Sequence, residues 1–166
     1  MTLTAPIVAN RETGKMSGMP GKWLLLLAWA HILAGLAIPL IAYSAGFGYY
    51  SGLLQQTFWP HAAVPAQTVE FQRWIVALFG PTLASVGVVM VYLVRAGIRT
   101  GETWPWTAIL LALAVWAPGD IGISMMKHFR LHLWLDIAAL LAIVPAALIL
   151  RARAASPRHR ALSHPC

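Results

Sequence analysis

Residues 103–150 read TWPWTAILLALAVWAPGDIGISMMKHFRLHLWLDIAALLAIVPAALIL. They hold two apolar stretches, 103–126 and 131–150, parted by Lys127, His128, Phe129 and Arg130. A hydrocarbon core ~30 Å thick takes about 20 helical residues to cross, so each stretch is long enough to span one. So short a connection makes the pair an antiparallel hairpin. Nothing in either stretch alternates like a barrel strand, and in lipid the backbone must satisfy its own hydrogen bonds, which selects helices. Two further stretches of the same kind lie upstream: 23–45, with His31 and Pro39, and 73–94, with Gly80 and Pro81. The expectation is an all-α, four-helix transmembrane bundle. Its second span is interrupted at Gly80-Pro81, its third is broken near its end by Pro118-Gly119, and Pro145 lies late in its fourth.

Composition agrees. Of 166 residues, 59% are hydrophobic and only 10% charged, whereas soluble domains carry roughly a quarter charged residues. Five acidic side chains (Glu12, Glu70, Glu102, Asp120 and Asp136) serve the whole length, and the mean hydropathy is +0.69. A soluble enzyme, a disordered chain and a disulfide scaffold are excluded. The length suits one membrane domain, residues 23–150, between an N-terminal tail, 1–22, and a basic C-terminal tail, 151–166. Residues 1–22 are polar and carry no apolar core, so no cleavable signal peptide is expected. Cys166 is the only cysteine, which rules out an intrachain disulfide and a thiolate metal cluster.

The net charge of +7 comes from twelve lysines and arginines that cluster beside the apolar stretches. That pattern signals membrane topology and not nucleic-acid binding. Arg11, Lys15, Lys22, Arg95, Arg99, Arg151, Arg153, Arg158 and Arg160 fall on one side, against Arg73, Lys127 and Arg130 on the other. The positive-inside rule then puts both termini in the cytoplasm, in a bacterial inner membrane. Both tails are expected to be disordered, the basic one touching anionic lipid. Small residues (Gly35, Gly80, Gly87, Ala139 and Ala142) suit helix association, hence a homo-oligomer or a larger membrane complex.

Residues 46–72 are expected to form a long outward loop. Phe47, Tyr49, Tyr50, Leu53, Leu54, Phe58 and Trp59 make it apolar and aromatic, interleaved with Gln55, Gln56 and His61. A loop of that character packs, here as a lid or re-entrant cap over the helix ends.

The candidate site lies beneath it. An ionisable residue in a span is costly and marks a functional site by default. Asp120 and Ser124 are spaced i, i+4, as are His132 and Asp136, so each pair shares a helix face. Folding about residues 127–130 sets Ser124 level with His132 and Asp120 level with Asp136. Glu70 and Arg73, with Tyr49, Tyr50 and Trp59, would shape a substrate entrance at a similar height.

Three chemistries could use the cluster. Two close carboxylates cannot both ionise cheaply, so one becomes a neutral acid and the pair a general acid/base device. Ser124, His132 and Asp136 could serve as nucleophile, base and orienting carboxylate, though Asp136 one turn from His132 on the same helix is a weak orienter. His132, Asp120, Asp136 and His128 could ligate a metal, but no ligand motif such as H-E-x-x-H is present, and no metal ligand is assigned. Beside all three stands a structural role, since Ser, His and Asp also hold transmembrane helices together by hydrogen bonds. His31, two turns into the first span, is a packing histidine, a haem ligand or part of a proton path. His61 suits a hydrated loop.

Trp74 followed by Gly80-Pro81-Thr82-Leu83 in a four-span chain of this size resembles the membrane-bound styrene oxide isomerase family. The resemblance covers about ten residues and extends to span count and the aromatic outer loop. It implies a haem b whose ferric iron opens a small epoxide as a Lewis acid. The family's axial histidine precedes the Gly-Pro pair at a position that is Leu78 here, so a haem would need His31 or His132.

The expected function is a membrane-embedded enzyme that isomerises or cyclises a small lipophilic substrate. Asp120 and Asp136 act as acid and base, and His132 and Ser124 orient them. The alternatives are a non-catalytic subunit that stabilises or docks a larger membrane complex, and a haem-dependent isomerase.

Overall fold

The computed structural model describes residues 18–156. Five helices follow one another: α1 (Met19–Ala42), α2 (Phe47–Phe58), α3 (Ala66–Thr100), α4 (Trp104–Met126) and α5 (Arg130–Ala155). No strand occurs among the described residues. All but α2 are long and apolar enough to cross a membrane. These four are apolar outside as well as inside. Leu33, Leu40, Val89, Val115 and Leu141 are all more than half exposed, the pattern of helices whose outer faces suit lipid.

The helices outrun the apolar stretches that announce them. Pro20 sits in the first turn of α1, where its missing N–H costs nothing, and lets the helix begin at Met19. Pro65 caps the start of α3, and Gly101, at φ 69° in the left-handed region, ends it with its N–H on the Gly97 carbonyl. Arg95 and Arg99 therefore continue α3, and Arg151 and Arg153 continue α5. Charge ends a span, not a helix. The segments 1–17 and 157–166, which hold most of both expected tails, lie outside the described residues.

Two expectations are corrected. The loop at 46–72 is largely helical: α2 occupies its first half and α3 begins at Ala66, leaving residues 59–65 as the irregular part. Nor do the prolines break the spans. Pro39, Pro81, Pro118 and Pro145 all lie inside continuous helices. Each removes one backbone bond, and neighbouring helices and hydroxyls compensate for such losses in apolar bundles.

The bundle is organised by the contact of α1 with α3. A Cβ on Gly80 would stand 2.5 Å from the Gly35 carbonyl oxygen and 2.6 Å from Pro39 Cδ, and one on Gly87 2.7 Å from the Ala28 oxygen. Ala28 meets Gly87 and Gly35 meets Gly80, so the helices run antiparallel with their backbones touching. Nearby, the Trp106 indole of α4 fills the space that a side chain at Gly97 would need. On the other flank, Trp23 Nε1 of α1 donates to the Ala142 carbonyl of α5 at 2.9 Å.

The apolar core cluster lies toward one end, while Ala42, Phe47 and Phe129 are buried apart from it. Leu24 and Ala28, Val91 and Val94, Trp106 and Ile109, and Ala147 and Leu150 form one buried cluster. These are the beginnings of α1 and α4 and the ends of α3 and α5. The opposite end carries α2, the α4–α5 turn and the polar residues.

Gly87→Leu should lower the unfolding midpoint in detergent, followed by circular dichroism, with a loss of about 1–3 kcal/mol from overpacking. Gly119→Ala, where nothing lies within 4 Å of the added Cβ, should hold or raise it, because alanine favours the helix.

Candidate functional site

The α4–α5 turn sets the geometry. Helix α4 ends in a Schellman motif: Phe129 N–H donates to the Ser124 carbonyl at 3.0 Å and His128 N–H to that of Met125 at 3.1 Å. His128 occupies the left-handed position, φ 55°, usually held by glycine. Helix α5 begins two residues later, with Phe129 as its N-cap. The reversal is so tight that residues at equal distance from the turn face one another.

Ser124 Oγ lies 3.3 Å from His132 Nδ1. Asp120, His132 and Asp136 each present a ligand atom within 4.8 Å of the others. All four residues of the expected cluster therefore meet. The continuity of α4 through Pro118 makes this possible, since Asp120 and Ser124 stay on one helical face. Asp136 is 3% exposed, and its Oδ2 is buried with no hydrogen-bond partner. Ser124 is buried too, and Asp120 and His132 are half-buried. Among the described residues no lysine or arginine forms an ion pair with either aspartate. An oxygen from each carboxyl and a nitrogen of His132 form a donor set that could hold a metal ion. His128, weighed as a fourth ligand, is exposed in the turn and stands outside this set.

Aromatic rings cover this end. Phe129 packs on His132, with ring centroids 6.2 Å apart, and against Tyr50 and Phe58 of α2 at 6.0 and 6.5 Å. Tyr50 continues to Phe47 at 6.2 Å, and the Arg73 guanidinium sits 5.3 Å over the Phe47 ring. A run of contacts thus joins Arg73 to His132. Burial pushes the Tyr50 phenol above the ordinary tyrosine range, keeping it a neutral group. Trp59 reaches the run through Phe58, at 5.9 Å. Glu70 pairs with Arg73 at 3.5 Å, one turn away on α3. Tyr49, expected at the entrance, is 77% exposed.

Phe129 is the member that sequence reasoning missed. Its only signal is to be the one aromatic residue between two spans, in a turn otherwise charged or polar. Phe47 and Phe58 counted only as loop aromatics, although each makes ring contacts in the run.

The other candidates lie elsewhere. His31 is half-buried on α1, with Nδ1 2.7 Å from the Leu27 carbonyl. Leu78 is half exposed on α3. His61 is exposed between α2 and α3. Compared with known proteins, the chain matches no family model, no curated protein and no solved structure.

A left-handed conformation costs a non-glycine residue roughly 1–2 kcal/mol. His128→Gly should therefore raise the unfolding midpoint in detergent, where substitution of an ordinary helical residue by glycine would lower it.

Proposed function

We propose that this chain is an enzyme of the bacterial inner membrane that rearranges a small lipophilic substrate by acid/base chemistry at Asp120, Ser124, His132 and Asp136. The observation that carries this reading is the meeting of two carboxyls and an imidazole, one carboxyl fully buried, at one end of an apolar bundle. Packing alone would be served by a single hydrogen bond. Two acids side by side are the arrangement by which proteins hold one proton ready for transfer.

Asp120 and Asp136 serve as acid and base. The Ser124 hydroxyl and His132 imidazole orient the substrate or the acids. Arg73, Glu70, Tyr50 and Trp59 shape the approach, with Tyr49 at its outer edge. The resemblance to styrene oxide isomerases supplies a probe, a terminal aryl epoxide. The protonated carboxyl gives its proton to the epoxide oxygen as the benzylic C–O bond breaks. A hydrogen then migrates with its electron pair from the neighbouring carbon to the benzylic cation. The protonated aldehyde returns its proton to the carboxylate. Atoms and oxidation level balance without a co-reactant.

Asp120→Asn and Asp136→Asn should each cut conversion of styrene oxide to its aldehyde by about 10²–10⁴-fold, while the proteins stay monodisperse in detergent. Wild-type turnover in either variant would sink the assignment. A second reading rests on the Ser124–His132 contact that bridges α4 and α5. There the cluster is structural glue of a non-catalytic subunit, and the Asn variants lose monodispersity first. A Soret band in the purified protein would instead assign the acid to haem, held by His31 or His132.

The membrane orientation belongs to the same proposal: both termini cytoplasmic, by nine basic residues against three. The single cysteine, Cys166, tests it. A membrane-impermeant maleimide should leave Cys166 unlabelled in intact spheroplasts and label it after lysis. Labelling before lysis would invert the topology.

A further inference from the structure

We propose that Asp120, His132 and Asp136 form a binding site for a divalent transition-metal ion. Each aspartate supplies one oxygen and His132 one nitrogen. This goes beyond the acid/base reading and does not rest on it: the ion and the proton of the carboxyl pair compete for the same place.

The three ligand atoms already lie within 4.8 Å of one another. Two ligands bound at roughly 2.1 Å from one ion stand at most about 4.2 Å apart, so small side-chain rotations close the set. Independently, Asp136 is 3% exposed with its Oδ2 buried and unpartnered. A buried acceptor without a donor calls for an explanation, and a bound ion is one. Among the described residues no lysine or arginine pairs with it, and Arg73 pairs with Glu70 instead; His132 is the basic group beside it. A dipositive ion would neutralise both carboxylates at once, which suits an apolar surrounding where a net charge is expensive.

The donor types narrow the choice of ion. One imidazole and two carboxylates favour Zn²⁺, Co²⁺, Fe²⁺ or Mn²⁺, whereas thiolate-seeking Cu⁺ has no sulfur ligand here. His132 is also held as metal-binding histidines are. Its Nδ1 lies 3.3 Å from Ser124 Oγ, and an Nδ1–H donated to that oxygen leaves Nε2 to the metal. Ser124 is thereby a positioning residue, and its burial keeps the contact dry. Binding releases whatever protons the three groups carry.

The test uses the full chain in detergent, stripped with a chelator and titrated with Co²⁺. The expected result is saturable binding of one ion per chain, with visible ligand-field bands that Zn²⁺ displaces. Asp136→Asn and His132→Gln should each weaken binding at least tenfold, and Ser124→Ala roughly tenfold. His128→Ala, His164→Ala and Cys166→Ser should leave it unchanged. Size exclusion and circular dichroism identify any variant that fails to fold. If Asp136→Asn is one, His132→Gln and Ser124→Ala still decide the matter. Absence of saturable bands overturns the proposal, as does equal binding by folded Asp136→Asn and His132→Gln, or loss of binding with Cys166→Ser. Styrene oxide turnover by the metal-free protein is scored separately, so the failure of either proposal is distinguishable from that of the other.

Discussion

Backbone contact between α1 and α3 sets the frame for the remaining elements. At Gly35, Gly80 and Gly87 no side chain intervenes, and hypothetical Cβ atoms would fall within 2.8 Å of backbone atoms of the facing helix. Helices with apolar exteriors gain little by hiding one apolar face against another in lipid, so close van der Waals packing becomes the main source of adhesion. Once α1 and α3 are joined, α4 docks through Trp106 into the space over Gly97. Helix α5 closes the bundle on α1 through Trp23 and the core around Ala147 and Leu150.

That arrangement divides the labour between the two ends. The end with the start of α1 and the finish of α5 holds the dense apolar cluster. The other end packs through the Phe47–Tyr50–Phe129 rings and carries what would be costly in an apolar core: two aspartates, an imidazole and a hydroxyl. The division has a cost, visible in His128 held left-handed and Asp136 Oδ2 left without a partner. Both irregularities sit at the α4–α5 hairpin, whose turn puts Ser124 opposite His132. The ring contacts of Phe129 with α2 then shield the cluster from the side away from the core. Proton pair and metal ion are alternative occupants of one geometry, since each supplies positive charge where carboxylates crowd.

Much of this was legible in the chain itself. The four helices long and apolar enough to cross a membrane follow from run length and composition, because a helix that meets lipid on one face must be apolar there. The meeting of Asp120, Ser124, His132 and Asp136 follows from two i, i+4 spacings and a four-residue connection, which together leave little freedom of register. What stayed hidden was non-local. The prolines look like breaks because the bonds they remove are visible in sequence, while the packing of the continuous helices around them is not. Residues 46–58 look like a loop because α2 is short, too short to cross a membrane, and holds two glycines, and its aromatic side chains find Phe129 only across the fold. The identity of the spans and the level of the polar groups are thus local properties, determined by hydropathy and helical period. The orphaned oxygen of Asp136, the aromatic cover and the backbone contact at Gly35 and Gly80 were decided by tertiary structure alone, because each depends on which helix lies opposite.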